Sequence, residues 1–298
     1  MSQIQSSLNQ VSSRFFTRIR TYWRFTKSIQ TLLLVASGIA GFMTTGNSII
    51  APKTLAGLAG SLFLTITGST ILNIWYDRDI DSTRFHSCWR PYPVGQVNSI
   101  EGFFLGLVIL SLGISWALFI DLHYGLIVFG GFFFDVIIYT FWLKRRTSWA
   151  VLLGGISGCI PFLAGRTLGG GSLDGVGLLF SLAILFWTPA HILTFSPCCS
   201  AERTRKPFPA FPDRFNRTLA IRLIAASCIF VALAILRGAA VLGLPGKLLL
   251  LLAVFAVGLI LLAGFALLHP SGKINFCLSK YASALMLGTL LMLIVNGF

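Results

Sequence analysis

The sequence predicts an all-α, polytopic membrane bundle of about nine transmembrane helices. Three observations carry that expectation. The 298 residues are 55% hydrophobic with a mean hydropathy of +0.83 and only 11% charged, too little polar surface to clothe a domain in water. The apolar residues gather into runs of the roughly 20 residues that a helix rising about 1.5 Å per residue needs to cross a bilayer. The basic residues alternate in density from one connecting loop to the next, as in a chain threaded back and forth across a membrane.

In chain order the runs are Ile29 to Gly46, Thr54 to Tyr76, Ile100 to Ile120, His123 to Leu143, Ala150 to Leu168, Val176 to Phe195, Leu219 to Val241, Lys247 to Leu268 and Leu278 to Gly297. The first and fifth are rich in Gly, Ala and Ser, which suits close helix packing rather than lipid contact. Residues 1–28 are polar and basic and read as a cytoplasmic N-terminal segment, with 29–298 as the intramembrane domain. The first run is longer than the roughly 7–15 residues of a signal-peptide core, so it is expected to stay as an anchor.

Sorting Lys and Arg by alternate loops gives the orientation. The N-terminal segment, the 77–99 loop, Lys144 to Arg146, the 196–218 loop with the start of the next helix, and Lys273 with Lys280 hold 19 cations; the other face holds Lys53, Arg166, Arg237 and Lys247. The N-terminus and the long loops are therefore expected to be cytoplasmic in a multi-pass cell-membrane protein. The net charge of +14 has little solvated surface from which to meet a duplex, which excludes nucleic acid and leaves a lipid bilayer and an anionic substrate as partners. The six cysteines form neither CxxC pairs nor a Cys/His ligand spacing and receive no chemistry.

Three of the nine carboxylates, Asp77, Asp79 and Asp81, fall within five residues. Asn73, Asp77 and Asp81 stand at i, i+4 and i+8 and share one face of a continuing helix, whereas Asp79 points elsewhere. Carboxylates so close repel one another unless a cation holds them, and an amide inside an apolar helix is costly unless it binds something. A hard divalent ion meets both needs: Mg²⁺ takes oxygen ligands and is commonly shared between one or two carboxylates and substrate phosphates. The bland alternative is a solvated, charged helix end partly neutralised by Arg78 and Arg84.

The run Asn73 to Asp81, followed by Arg90-Pro91-Tyr92-Pro93-Val94-Gly95, resembles the first Asp-rich motif of the UbiA superfamily of intramembrane prenyltransferases. Within it, Tyr139 to Thr147 with Gly154-Gly155, and Trp187-Thr188-Pro189-Ala190-His191, resemble the protohaem IX farnesyltransferase (haem O synthase) branch. The resemblance runs from about Phe25 to Pro212 and continues only in hydropathy beyond. It implies a nine-helix bundle around a central cavity open to the cytoplasm and to lipid. It also implies Mg²⁺ held by two acidic regions, an isoprenoid diphosphate as donor, and haem B or another tetrapyrrole or aromatic ring as acceptor. In the haem branch a farnesyl group is added to a vinyl group of protohaem IX. The first motif is also similar to chlorophyll and bacteriochlorophyll synthases and to quinone prenyltransferases. A non-catalytic descendant binding haem or polyprenyl phosphate is the rival of another class.

On this reading Asn73, Asp77 and Asp81 are the catalytic set, with Asp77, Asp81 and Glu202 on the metal. Arg90, Asp135, Tyr139, Lys144, Arg145, Arg146, His191 and Glu202 contact substrate. Fixed cations beside a leaving diphosphate lower its barrier, a role open to Lys144, Arg145 and Arg146, although basic residues at a helix end also serve as ordinary membrane anchors. Asp135 lies nine residues before Lys144 inside an apolar helix and, at α-helical spacing, shares a face with Tyr139, Trp142 and Arg146. A structural ion pair competes with a site role for it, and for His191 a hydrogen-bonded core histidine behind a Pro kink competes with contact to the acceptor. Glu202 stands where the haem branch has Asp and Arg203 where it has Tyr, which weakens the second acidic region.

Overall fold

The computed structural model describes residues 28–46, 51–81, 99–147, 150–170, 172–194 and 217–297. Among them are nine helices and no strand: α1 (Ser28–Met43), α2 (Pro52–Asp81), α3 (Ser99–Ile120), α4 (Leu122–Phe132, continued by a π-helical stretch Phe133–Leu143), α5 (Ala150–Gly170), α6 (Gly175–Thr194), α7 (Arg217–Leu242), α8 (Gly246–Leu268) and α9 (Gly272–Asn296). They fall on the nine apolar runs, with α9 starting six residues earlier than its run. The N-terminal segment 1–27, Arg90 and Glu202 lie outside the described residues, and α2 includes the backbone of Asp81 but not its described side chain.

Six helices, α2, α3, α4 with its π-helical continuation, α7, α8 and α9, are each long and apolar enough to cross a membrane by themselves. Their outer faces carry large exposed apolar side chains such as Leu112, Phe119, Leu250, Val254 and Leu261, the surface that lipid covers. The protein is a multi-pass membrane protein. The inner position belongs to α5, which has no exposed residue from Gly154 to Gly169 and packs against α1, α4, the π-helical stretch and α6. Consecutive helices pack on one another, and α9 returns to α1.

The small residues of the first and fifth runs find their use here. A Cβ on Gly41 would overlap the Phe162 carbonyl and one on Gly165 the Gly38 carbonyl, so α1 and α5 lie backbone to backbone. In a bilayer, where apolar burial drives little association, that approach gains the dispersion contacts that hold two helices together. Two apolar cores flank the contact. One joins Val35, Phe42, Leu58, Leu62, Tyr124 and Ala164; the larger fills the space between α5 to α9 around Phe162, Phe180, Ile235, Leu259 and Leu278. Buried Tyr124 satisfies its hydroxyl on Ser61 Oγ at 2.7 Å, tying α4 to α2.

Candidate active site

Thirty residues make α2 about 45 Å long, more than the roughly 30 Å hydrocarbon core, and its polar and charged residues gather in its C-terminal turns. Asn73, Tyr76 and Asp77 stand there. Asp77 is buried, at 7% exposure, and Asn73 half-buried. One ammonium reaches both: Lys144 Nζ donates to Asn73 Oδ1 at 2.7 Å and forms a short ion pair with Asp77 Oδ2. The i, i+4 pair thus presents a common face. Asp77 Oδ1, also buried, has no hydrogen-bond partner among the described residues.

Lys144 owes its position to the end of α4. Its backbone N–H bonds Tyr139 O at 2.8 Å, the five-residue step that marks a π-helix, and the Thr140 hydroxyl adds a side-chain bond to Asp135 O at 2.7 Å. Such a helix turns more slowly per residue than the α-helix with its about 3.6 residues per turn, and π segments recur at functional sites. The wider turn corrects an expectation. Tyr139 stays on the Asp135 side, since Asp135 Oδ1 accepts from Ser157 Oγ of α5 at 3.4 Å and the Tyr139 ring lies 3.0 Å from where a Gly154 Cβ would stand. Trp142 and Arg146, placed on that face by α-helical spacing, are exposed instead.

The basic trio divides. Lys144 holds the carboxylate, its Nζ 5.5 Å from the Tyr139 ring centre. Arg145 lies 4.1 Å above the Tyr76 ring and donates from NH2 to the Tyr76 carbonyl at 2.6 Å, clamping the end of α2 to the end of the π segment. Arg146 is exposed.

Across α5, the end of α6 forms a second group. Trp187 and His191 stack with ring centres 4.6 Å apart, and Trp187 Nε1 donates to Ser283 Oγ at 3.2 Å. Ser279 Oγ donates to the Ala190 carbonyl at 2.9 Å. The glycines of α5 face both groups: Gly154 meets Tyr139, while a Cβ on Gly155 would stand 3.3 Å from Thr188. The structure therefore brings Asn73, Asp77, Tyr139, Lys144 and Arg145 together, sets Asp135 against α5, and puts His191 beyond it. Sequence reasoning missed Ser157, Ser279 and Ser283. The last two are spaced i, i+4 in α9, a weak signal in a membrane helix where serine is common.

The donors are the oxygens that a hard divalent cation takes: Asp77 offers a buried, unbonded Oδ1, and Asp77 Oδ2 and Asn73 Oδ1 meet at the Lys144 ammonium, although among the described residues no three acidic, His or Cys side chains gather there. With Lys144 and Arg145 beside it, the arrangement suits a polyanion that arrives with a metal.

A family model described as the UbiA prenyltransferase family matches residues 34–275. Relatives named protoheme IX farnesyltransferase are similar over most of the chain. That of Archaeoglobus fulgidus is 31% identical over 65% of this chain and 68% of its own. That of Aeropyrum pernix is 31% identical over 70% and 69%, and that of Pyrobaculum neutrophilum 32% over 74% and 81%. A solved structure concerned with digeranylgeranylglyceryl phosphate synthase in membranes superposes with a TM-score of 0.78 at 17% identity, covering 94% of this chain and 99% of that one. A UbiA homolog from Archaeoglobus fulgidus, bound to GPP and Mg²⁺, does so with a TM-score of 0.65 at 15% identity over 92% and 99%. At these identities the structures speak for the fold, and the sequence match speaks for the family. The chain belongs to the UbiA prenyltransferase family and is an intramembrane prenyltransferase.

Proposed function

We propose that the chain transfers a farnesyl group from farnesyl diphosphate to a vinyl group of protohaem IX, with Mg²⁺ as cofactor. The observation that carries the donor half is the buried Asp77 carboxylate, one oxygen unbonded, with Lys144 and Arg145 at its side. The acceptor half rests on similarity to relatives that bear the protoheme IX farnesyltransferase name. The 19-to-4 distribution of cations supports a site at the cytoplasmic face.

Asp77 and Asp81 would hold Mg²⁺ from α2, with Glu202 as the third carboxylate and Arg90 on the diphosphate. When bound, Mg²⁺ neutralises charge that develops on the departing diphosphate. Lys144 and Arg145 add positive charge beside the bound diphosphate, which offsets the charge that develops there as the prenyl C1–O bond breaks. The vinyl carbon supplies the electron pair of the new C–C bond to C1. Water then delivers hydroxide to the resulting cation and releases a proton, which gives a hydroxyethylfarnesyl group. Tyr139 lines the approach to Lys144, Asp135 sits behind it on Ser157, and His191 with its stacked Trp187 takes the acceptor side. Arg146 is the outermost contact.

The test is label transfer in membranes containing the protein, with Mg²⁺ and radiolabelled farnesyl or geranylgeranyl diphosphate. Label on haem B is expected; label on a chlorophyllide or a quinone ring instead overturns the acceptor, and binding without transfer to any of them overturns the activity.

A further inference from the structure

Two of the three oxygens suited to a metal, Asp77 Oδ2 and Asn73 Oδ1, are already in use. Lys144 spans Asp77 Oδ2 and Asn73 Oδ1, with the two ion-pair side chains only 20% and 9% exposed. An ionised carboxylate so enclosed is held at high cost unless a counter-charge accompanies it, and the ammonium supplies one. It is an incomplete match, because it leaves Asp77 Oδ1 buried without a donor among the described residues. A divalent cation on the free Oδ1 alone would have one side-chain ligand and an ammonium of like charge beside it; to take Asp77 Oδ2 and Asn73 Oδ1 as well it must evict the ammonium, since the same oxygens cannot serve both.

Eviction has a direction. The lysine stem is long and flexible, and its ammonium is a compact charge with three donors, well suited to a phosphate oxygen. Without an anion nearby, the displaced charge would sit at a poorly solvated membrane edge beside the Tyr139 ring. With a diphosphate present, it exchanges a carboxylate for a phosphate.

We infer that Lys144 is a displaceable counter-ion that couples divalent-metal binding to diphosphate binding: it guards Asp77 until both arrive, then moves to the diphosphate. The inference rests on the metal-dependent reading above. Arg145 does not share the role, because its guanidinium is bound to the Tyr76 carbonyl and ring. Coupling is reciprocal, so the metal and the diphosphate each tighten the other by the same factor.

The probe is Mn²⁺ alone, titrated into the purified full-length protein in detergent and followed by loss of the free-ion EPR signal. Wild type is expected to bind weakly. Lys144→Gln and Lys144→Met, which free the carboxylate, should bind Mn²⁺ roughly 5–150-fold more tightly, the range of ordinary coupling energies. Lys144→Arg keeps a cation on Asp77 and should stay near wild type. The gain should be lost when Asp77→Asn is added to the Gln or Met variant, which separates binding at this carboxylate from binding by a damaged fold. Radiolabelled inorganic diphosphate should bind wild type more tightly with Mn²⁺ than without, and that ratio should be smaller, though still above one, in the Gln and Met variants, where only the metal's own bonds to phosphate remain. Equal or weaker Mn²⁺ binding by both variants overturns the inference while leaving the metal-dependent reading intact. Absence of Mn²⁺ binding in every form, with diphosphate present, overturns that reading and the inference with it.

Discussion

Two acid–base pairs stand at opposite ends of the bundle, and they are built differently. At the far end of α5, Arg166 donates from Nε to both oxygens of Asp174 at 2.8 and 2.9 Å and from NH2 to Oδ2 at 2.5 Å, while NH1 reaches Thr44 O and Oγ1 at 2.5 and 2.7 Å. Gly177 N–H adds a bond to Asp174 Oδ1 at 2.9 Å, so the first turn of α6, the end of α1 and α5 are stapled together. The Lys144–Asp77 pair has one cation shared between two oxygens and one carboxylate oxygen left over. A planar guanidinium in a bidentate pair is a permanent fastening. A point charge on a flexible stem, against an under-satisfied carboxylate, can be exchanged. The first pair fastens three elements of the fold, and the second is the one we propose to meet substrate.

The largest effect should come from Asp77→Asn, which is expected to lower prenyl transfer by about 10²–10³-fold, the scale of losing one preorganised charge stabiliser. Full turnover in that variant, measured by label transfer, would erase the contrast. Arg166→Met should do the opposite, dropping the apparent melting temperature in detergent by about 5 °C or more with transfer per folded molecule unchanged.

A pH series sharpens the same distinction. The Arg166 hydrogen bonds hold the Asp174 carboxyl below its ordinary value, so the pair stabilises the fold fully above the unfolded value near 4. That contribution fades as pH falls through the lower folded value. The difference in melting temperature between wild type and Asp174→Asn should therefore be flat from about pH 7 to 5 and shrink below about pH 4. The smallest effect is expected for exposed Arg146→Gln, less than about threefold in transfer, against a clearly larger loss for Arg145→Gln, which frees the end of α2.

How much of this was legible beforehand follows from which signals are local. The nine runs and the shared face of Asn73 and Asp77 depend only on hydropathy and on the α-helical period, and both are written in consecutive residues. The exposure of Trp142 and Arg146 was not legible, because the switch to five-residue hydrogen bonds leaves no mark on composition. Nor was the part played by α9. Ser279 and Ser283 acquire meaning only because that helix returns, some ninety residues later, to lie against Ala190 and Trp187.

The sequence by itself determined a membrane bundle, its helix count, the family motif on α2 and the presence of cations near it, since a bilayer demands long apolar helices and a carboxylate cluster demands counter-charge. Which cation answers which carboxylate was decided by the tertiary structure. Lys144, Arg145 and Arg146 are chemically close neighbours in the chain, but the turn of the π segment aims the first at Asp77, lays the second on Tyr76 and leaves the third outside. Arg166, equally basic in the sequence, is locked into a fold-holding pair because α1, α5 and the start of α6 meet around it.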